Sequence, residues 1–176
     1  MASLYSISIP VIITTLTVTS DVLKKGGQHA QEKGIAISEY LNARLYEDML
    51  PLTAQIRFLC STARKAVERL TDVAPAEFDA EKQRDTLEDW LAVIDETLEI
   101  LRAVDPEAVN GKEQTKVPCL LGPEKYEATL FDYVQGYPLP NMYFHLSIVY
   151  AILRAKGVPL GKADYLRPFL QGFTKV

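Results

Sequence analysis

Between Asp79 and Val104, the residues Leu87, Trp90, Leu91, Ile94, Leu98 and Leu101 recur at helical spacing, and acidic residues occupy the opposite side. An apolar stripe of that length is hidden only against other elements, so it commits the chain to packing helix on helix. Three further segments carry the same period. Pro10 suits the first turn of a helix, and Val11, Leu16, Val18, Val22 and Leu23 share one broad face through Lys25. The Gly26-Gly27 pair predicts a bend, with the helix continuing to Lys33. Ser38 is expected to cap the helix "EYLNARLYEDML", in which Tyr40, Arg44 and Asp48 form a row one turn apart. Pro51 then either kinks that helix or opens a new one running to about Leu70. The last long helix is "LPNMYFHLSIVYAILRAKG", from Leu139 to Gly157.

The connections are mostly short. "TDVAPAEFDA" reads as a loop and Asn110-Gly111 as a turn. "TKVPCLLGPEKYEAT" reads as two extended pieces around Gly122-Pro123, a small hairpin. Thr129 with Asp132 is a capping start for the short helix "LFDYVQG", and the tail from Val158 to Val176 is expected to be mostly loop. Together these segments predict an all-α single domain over residues 1–176, an antiparallel four-helix bundle with a β-hairpin inserted before the last helix.

The bulk properties narrow the function classes. Of the 176 residues, 48% are hydrophobic and 24% charged, with a net charge of −4, and no basic stripe interleaves with aromatics. Nucleic acid is therefore not an expected partner. The longest apolar stretches are read as short of the ~18–20 residues of a membrane span. "MASLYSISIPVIITTLTVTS" lacks a basic start and is broken by threonines, so it is read as part of the fold of a cytoplasmic protein that does not engage membranes. Cys60 and Cys119 show no metal-ligand spacing and are expected to be buried, reduced thiols. No phosphate-binding glycine loop or nucleotide fingerprint is present.

Polar residues set into apolar faces are the candidate site. In the last helix, Met142, Phe144, Leu146, Ile148, Val149, Ala151, Ile152 and Leu153 cover a wide arc, with His145 near its middle and Asn141 one turn before it. Tyr143 and Tyr150 lie on the opposite flank. Buried amide and imidazole groups need partners. Candidates are Thr15 and Thr19 on the first helix, Gln55 and Thr62 on the second, and Arg44 and Asp48 before Pro51. His29, beside the glycine pair, is expected to be solvated.

The blocks "ARLYEDMLPLTAQI" and "LPNMYFHLSIVYAILRAKGVPLGKADYL" resemble an uncharacterised domain family of the DinB/YfiT-like superfamily of helical bundles. The resemblance covers nearly the whole chain. It implies a four-helix bundle, often dimeric. Many superfamily members hold a divalent metal with three histidines, and some of these are thiol-dependent transferases. The resemblance puts those three positions on Asn141, on His145, and near Gln55 or Thr62, so this sequence keeps one histidine of the three.

The expectation is therefore a protein without metal or cofactor that takes a small-molecule ligand between its helices. His145 is the candidate acid/base for isomerase, cyclase or lyase chemistry. Asn141 and Gln55 are the expected amide donors to a substrate oxygen. Arg44, Asp48, Tyr143, Tyr150, Thr15, Thr19 and Thr62 are the candidate substrate-binding residues. The alternatives are a metal-dependent transferase or hydrolase, and a non-catalytic homodimer in which His145 is structural.

Overall fold

In the computed structural model, residues 2–76, 79, 82, 84–121 and 123–174 are described. Four long helices carry the core: α1 (Leu4–Lys33), α3 (Leu52–Thr71), α4 (Leu87–Arg102) and α6 (Pro138–Ala155). Helix α1 packs on α4 and α6, and α3 packs on the same two, so the four close a ring. Ile12 and Leu16, Ile56 and Leu59, Ile94 and Leu101, and Met142, Leu146 and Val149 fill its centre. Among the described residues, the short helices α2 (Ile37–Leu41), α5 (Leu130–Gly136) and α7 (Lys162–Leu166) and two 3₁₀ turns, Pro106–Ala108 and Arg167–Leu170, complete the helical part. Among the described residues the fold is mostly helical with one hairpin, as expected.

Several boundaries differ from the sequence reading, each for a local reason. Helix α1 begins at Leu4 because Ser3 and Ser6 form a reciprocal cap. Pro10 therefore sits inside the helix and not in its first turn. The helix runs unbroken through the glycine pair. A Cβ at Gly26 lies 2.9 Å from Leu153 Cδ2, and one at Gly27 meets Leu87, so the pair lets α6 and α4 approach closely. An apolar window of α1 is long enough to cross a membrane by length and composition alone, contrary to expectation, though 56% of it is buried inside the fold. Its threonines do not interrupt it, because Thr14, Thr15, Thr17 and Thr19 each bond a carbonyl four residues earlier.

The expected helix after Ser38 stops at Leu41, and Ala36, not Ser38, precedes its first turn. Beyond it Leu45, Tyr46 and Leu50 are exposed, so no apolar stripe pulls this stretch into a longer helix. The Tyr40–Arg44–Asp48 row therefore does not form. Pro51 opens α3. Helix α4 starts at Leu87, where Thr86 and Asp89 form a capping box. Of the expected earlier turns, Asp79, Lys82, Arg84 and Asp85 are non-helical, and residues 80, 81 and 83 lie outside the described residues.

The hairpin pairs β1 (Lys116–Leu121) with β2 (Glu124–Thr129) in antiparallel register, Lys116 opposite Thr129. Gly122, at its expected turn, lies outside the described residues. Thr129 caps α5 through the Asp132 N–H, as read from the sequence. The tail is more ordered than expected. Asp164 caps α7 at Gly161 and pairs with Lys25, and Tyr165 and Phe169 pack edge-on against Tyr150 and Tyr143.

Candidate functional site

A groove of about 580 Å³ runs between α3 and α6. Helix α3 lines it with Phe58, Ser61, Thr62, Lys65 and Arg69. Helix α6 contributes Asn141 and His145, Tyr137 sits at its start, and Leu120 of the hairpin closes the far end. The α6 stripe that faces the core is Met142, Leu146, Val149, Ile152 and Leu153. His145 and Asn141 stand on the flank of that stripe and are half-buried, whereas the spacing predicts His145 near the middle of the apolar arc.

The partners of these side chains are specific. Gln55 Nε2 donates to the Leu50 carbonyl at 3.1 Å. A carbonyl only accepts, so the amide orientation is fixed and Gln55 Oε1 faces His145 Nδ1 at 2.8 Å. In the neutral ring Nδ1 therefore carries the proton, and Nε2 is the basic nitrogen. No hydrogen-bond partner to Nε2 is present among the described residues. The ring stacks on Phe58, 5.0 Å between centroids, and meets Phe144 edge-on at 5.2 Å. Burial pushes the His145 imidazole below the usual histidine range, which keeps it in the basic form near neutrality. One turn earlier, Asn141 Nδ2 donates to Thr62 Oγ1 at 2.9 Å and keeps a second N–H.

Of the sequence-predicted residues, His145, Asn141, Gln55 and Thr62 come together here, and the other six do not. Thr15 and Thr19 are fully buried in α1, where their hydroxyls bond the carbonyls of Val11 and Thr15. Arg44 bonds the Glu47 carbonyl at 3.5 Å and, like Asp48, lies outside the groove. Tyr143 packs on Phe169, and the Tyr150 hydroxyl donates to the Leu160 carbonyl at 3.4 Å, both away from the groove. His29 is not simply solvated, since its Nδ1 meets the hydroxyl of buried Tyr40 at 2.8 Å.

Sequence reasoning missed Phe58, Lys65, Tyr137 and Arg69. A signal for Arg69 existed: extending the step from Gln55 to Thr62 by the same seven residues lands on it. The two cysteines are buried and free as expected, and burial pushes the Cys60 thiol up to about 12. That thiol is no nucleophile at neutral pH.

The residues on which the resemblance puts the superfamily's metal ligands lie together, because Gln55 touches His145 and Thr62 touches Asn141. The donors there are one imidazole, two amides and a hydroxyl. A transition-metal dication wants imidazole, thiolate or carboxylate. Among the described residues, no group of three His, Cys, Asp or Glu side chains could hold one. The residues present do not fit the metal.

A family model described as a domain of unknown function, DUF1993, matches residues 4–166. Among solved structures, the chain is similar to the crystal structure, at 1.83 Å resolution, of a DinB family member protein from Shewanella denitrificans. The TM-score is 0.82 at 27% sequence identity, covering 93% of this chain and 91% of that one. No curated protein matches the sequence.

Proposed function

The chain belongs to the DUF1993 family, on a DinB-like fold, and we propose that it is a small-molecule enzyme whose α3–α6 groove performs metal-independent proton transfer. We read the ring of four long helices as an antiparallel bundle with the hairpin as its insertion. His145 Nε2 takes a proton from the ligand. Gln55 is a positioning residue: both ends of its amide are engaged, so it fixes the tautomer and does not contact substrate. The second N–H of Asn141 is the donor for a carbonyl or enolate oxygen. A base beside an amide donor suits isomerisation, cyclisation, dehydration or elimination, which need no redox cofactor.

The observation that carries this reading is the relay from the Leu50 carbonyl through Gln55 to His145. A core histidine buries both ring nitrogens and needs a partner for each. A histidine held in one tautomer, with its basic nitrogen left unpartnered at a groove, is arranged to accept a proton. The test incubates the purified chain with a panel of small oxo acids and other carbonyl compounds in D₂O and follows deuterium incorporation by NMR. Incorporation abolished by His145→Gln, with the fold intact by circular dichroism, supports the reading. Incorporation that survives His145→Gln, or a panel that leaves the His145, Asn141 and Thr62 resonances unmoved, defeats it.

A second reading has one observation in its favour. Phe144, 56% exposed beside His145, and Leu120, 63% exposed, form an apolar rim. A non-catalytic homodimer that covers this rim leaves His145 as a structural group. Sedimentation with and without Phe144→Ser separates the two, since only the homodimer reading predicts dissociation.

A further inference from the structure

We propose that the groove selects an elongated carboxylate, its anionic end held by Arg69 and its reacting end at His145. This substrate class rests on the acid–base reading above. The groove and the hollow next to it, of about 520 Å³, share the wall formed by Lys65, Arg69 and Leu120. Every other charged group along that wall is matched. Lys65 pairs with Glu68 at 2.7 Å, and Asp72 pairs with Lys112 at 3.0 Å. Arg69 has no carboxylate partner among the described residues. Its guanidinium lies 4.7 Å over the Tyr133 ring, and Nη1 reaches Cys119 Sγ at 3.8 Å. A ring face, the neutral Tyr133 hydroxyl and a thiol are weak, uncharged acceptors for a group with five N–H donors. The unmatched fork suits a bidentate carboxylate.

The length follows from the helix. Arg69 stands seven residues beyond Thr62, which marks the Asn141–His145 end, so the two poles are on the order of 10 Å apart along α3. Acetate cannot reach both. Along the groove Phe58, Tyr137 and Leu120 offer aromatic and aliphatic surface, and Lys65, the charged residue on α3 between the poles, is neutralised by Glu68. The ligand body is accordingly apolar, an aryl or medium alkyl chain. The volume lies within the range of small-molecule sites.

The test titrates the full chain with acetate, phenylpropionate, phenylvalerate and the primary amides of the two aryl acids, read by ¹H–¹⁵N NMR. The aryl acids are expected to shift the Arg69 Nε–H, Asn141 and His145 resonances together. They bind about tenfold tighter than acetate and than their own amides, the worth of a charge-assisted hydrogen bond. Arg69→Gln removes the preference for acid over amide, and Arg69→Lys restores part of it. Amides that bind as tightly as acids, while still shifting His145, overturn the Arg69 anchor and leave the acid–base reading standing. If neither acids nor amides shift His145, both fall. The acid-against-amide comparison in the unmodified protein decides the matter even if the Arg69 variants fail to fold.

Discussion

Two regions of this protein place polar side chains on otherwise apolar helix faces, and they handle them in opposite ways. In α1, Ser8, Thr15 and Thr19 are completely buried, yet each hydroxyl bonds a carbonyl of its own helix. Between α3 and α6, Gln55, Thr62, Asn141 and His145 bond side chain to side chain across the helix interface. A hydroxyl one bond from Cβ folds back onto the preceding turn. An amide or imidazole held further out does not, and so has to find its partner on a neighbouring element. In one-letter form both regions show the same signal, a polar residue where the period asks for an apolar one. The teaching is that the long amide and imidazole side chains mark a position where two helices are tied together and a site can form, with the short Thr62 hydroxyl serving there as the acceptor that Asn141 reaches.

The comparison is broken most severely at Gln55. Gln55→Leu strips the Leu50 carbonyl of its donor and His145 Nδ1 of its acceptor at once. We expect a loss of about 2 kcal/mol in urea denaturation. Long-range ¹H–¹⁵N correlation is expected to show the imidazole passing from one tautomer to a mixture. An unchanged Nδ1–H tautomer in that variant means that Gln55 does not orient the ring. Thr62→Val is milder. It removes the acceptor of Asn141 Nδ2, but Asn141 is half-exposed and water replaces part of the bond. A loss of about 1 kcal/mol is expected, with the Asn141 side-chain amide resonances moving toward solvent-exposed values.

A smaller effect comes from pH. His145 is held below the ordinary histidine range by burial, so the folded chain takes up its proton at lower pH than the unfolded chain does. Stability from this group is complete above the unfolded value of about 6.5 and falls as pH drops from there through the folded value. Below both values the loss is constant. Denaturation midpoints of the native chain and of His145→Gln, compared from neutral pH downward, are expected to converge as the solution is acidified. Parallel midpoints mean that the imidazole is no more buried in the folded chain than in the unfolded one.

What the sequence disclosed divides along the same line. Helix existence was legible wherever an apolar stripe was long, as from Leu87 to Leu101, and so was the Thr129–Asp132 cap, a local signal. Helix ends were misplaced where a cap competed with propensity. Ser3 starts α1 ahead of Pro10, and Thr86 delays α4. The stretch from Tyr40 to Asp48 has helix-forming residues but no buried stripe to hold them, and it turns after Leu41. In the site, the Asn141–His145 pair and its partners on α3 were legible from spacing because those contacts connect two regular helices. For Arg69 the seven-residue step through Gln55 and Thr62 marks the face of α3 but not the surroundings, which depend on where the hairpin sets Cys119 and Leu120 and where α5 sets Tyr133. Tertiary placement of that kind leaves no period in the sequence.

The sharpest use of the comparison is a substitution expected to do almost nothing. Thr19 has no exposed surface, and Thr19→Val in most buried sites leaves a hydrogen-bond partner stranded. Here the hydroxyl bonds only the Thr15 carbonyl, which as part of the helix ladder also accepts the Thr19 N–H. Replacing the hydroxyl with a methyl keeps the shape and strands nothing. A change within about 0.5 kcal/mol in denaturation is expected, with ligand-induced shifts at His145 unaltered. A cost several times larger means that the hydroxyl has a partner beyond its own helix. Thr15 and Thr19 then belong with Gln55 and Thr62, and the site extends through the core to α1. A negligible cost confines the chemistry to the α3–α6 face, where the groups that cannot satisfy themselves are gathered.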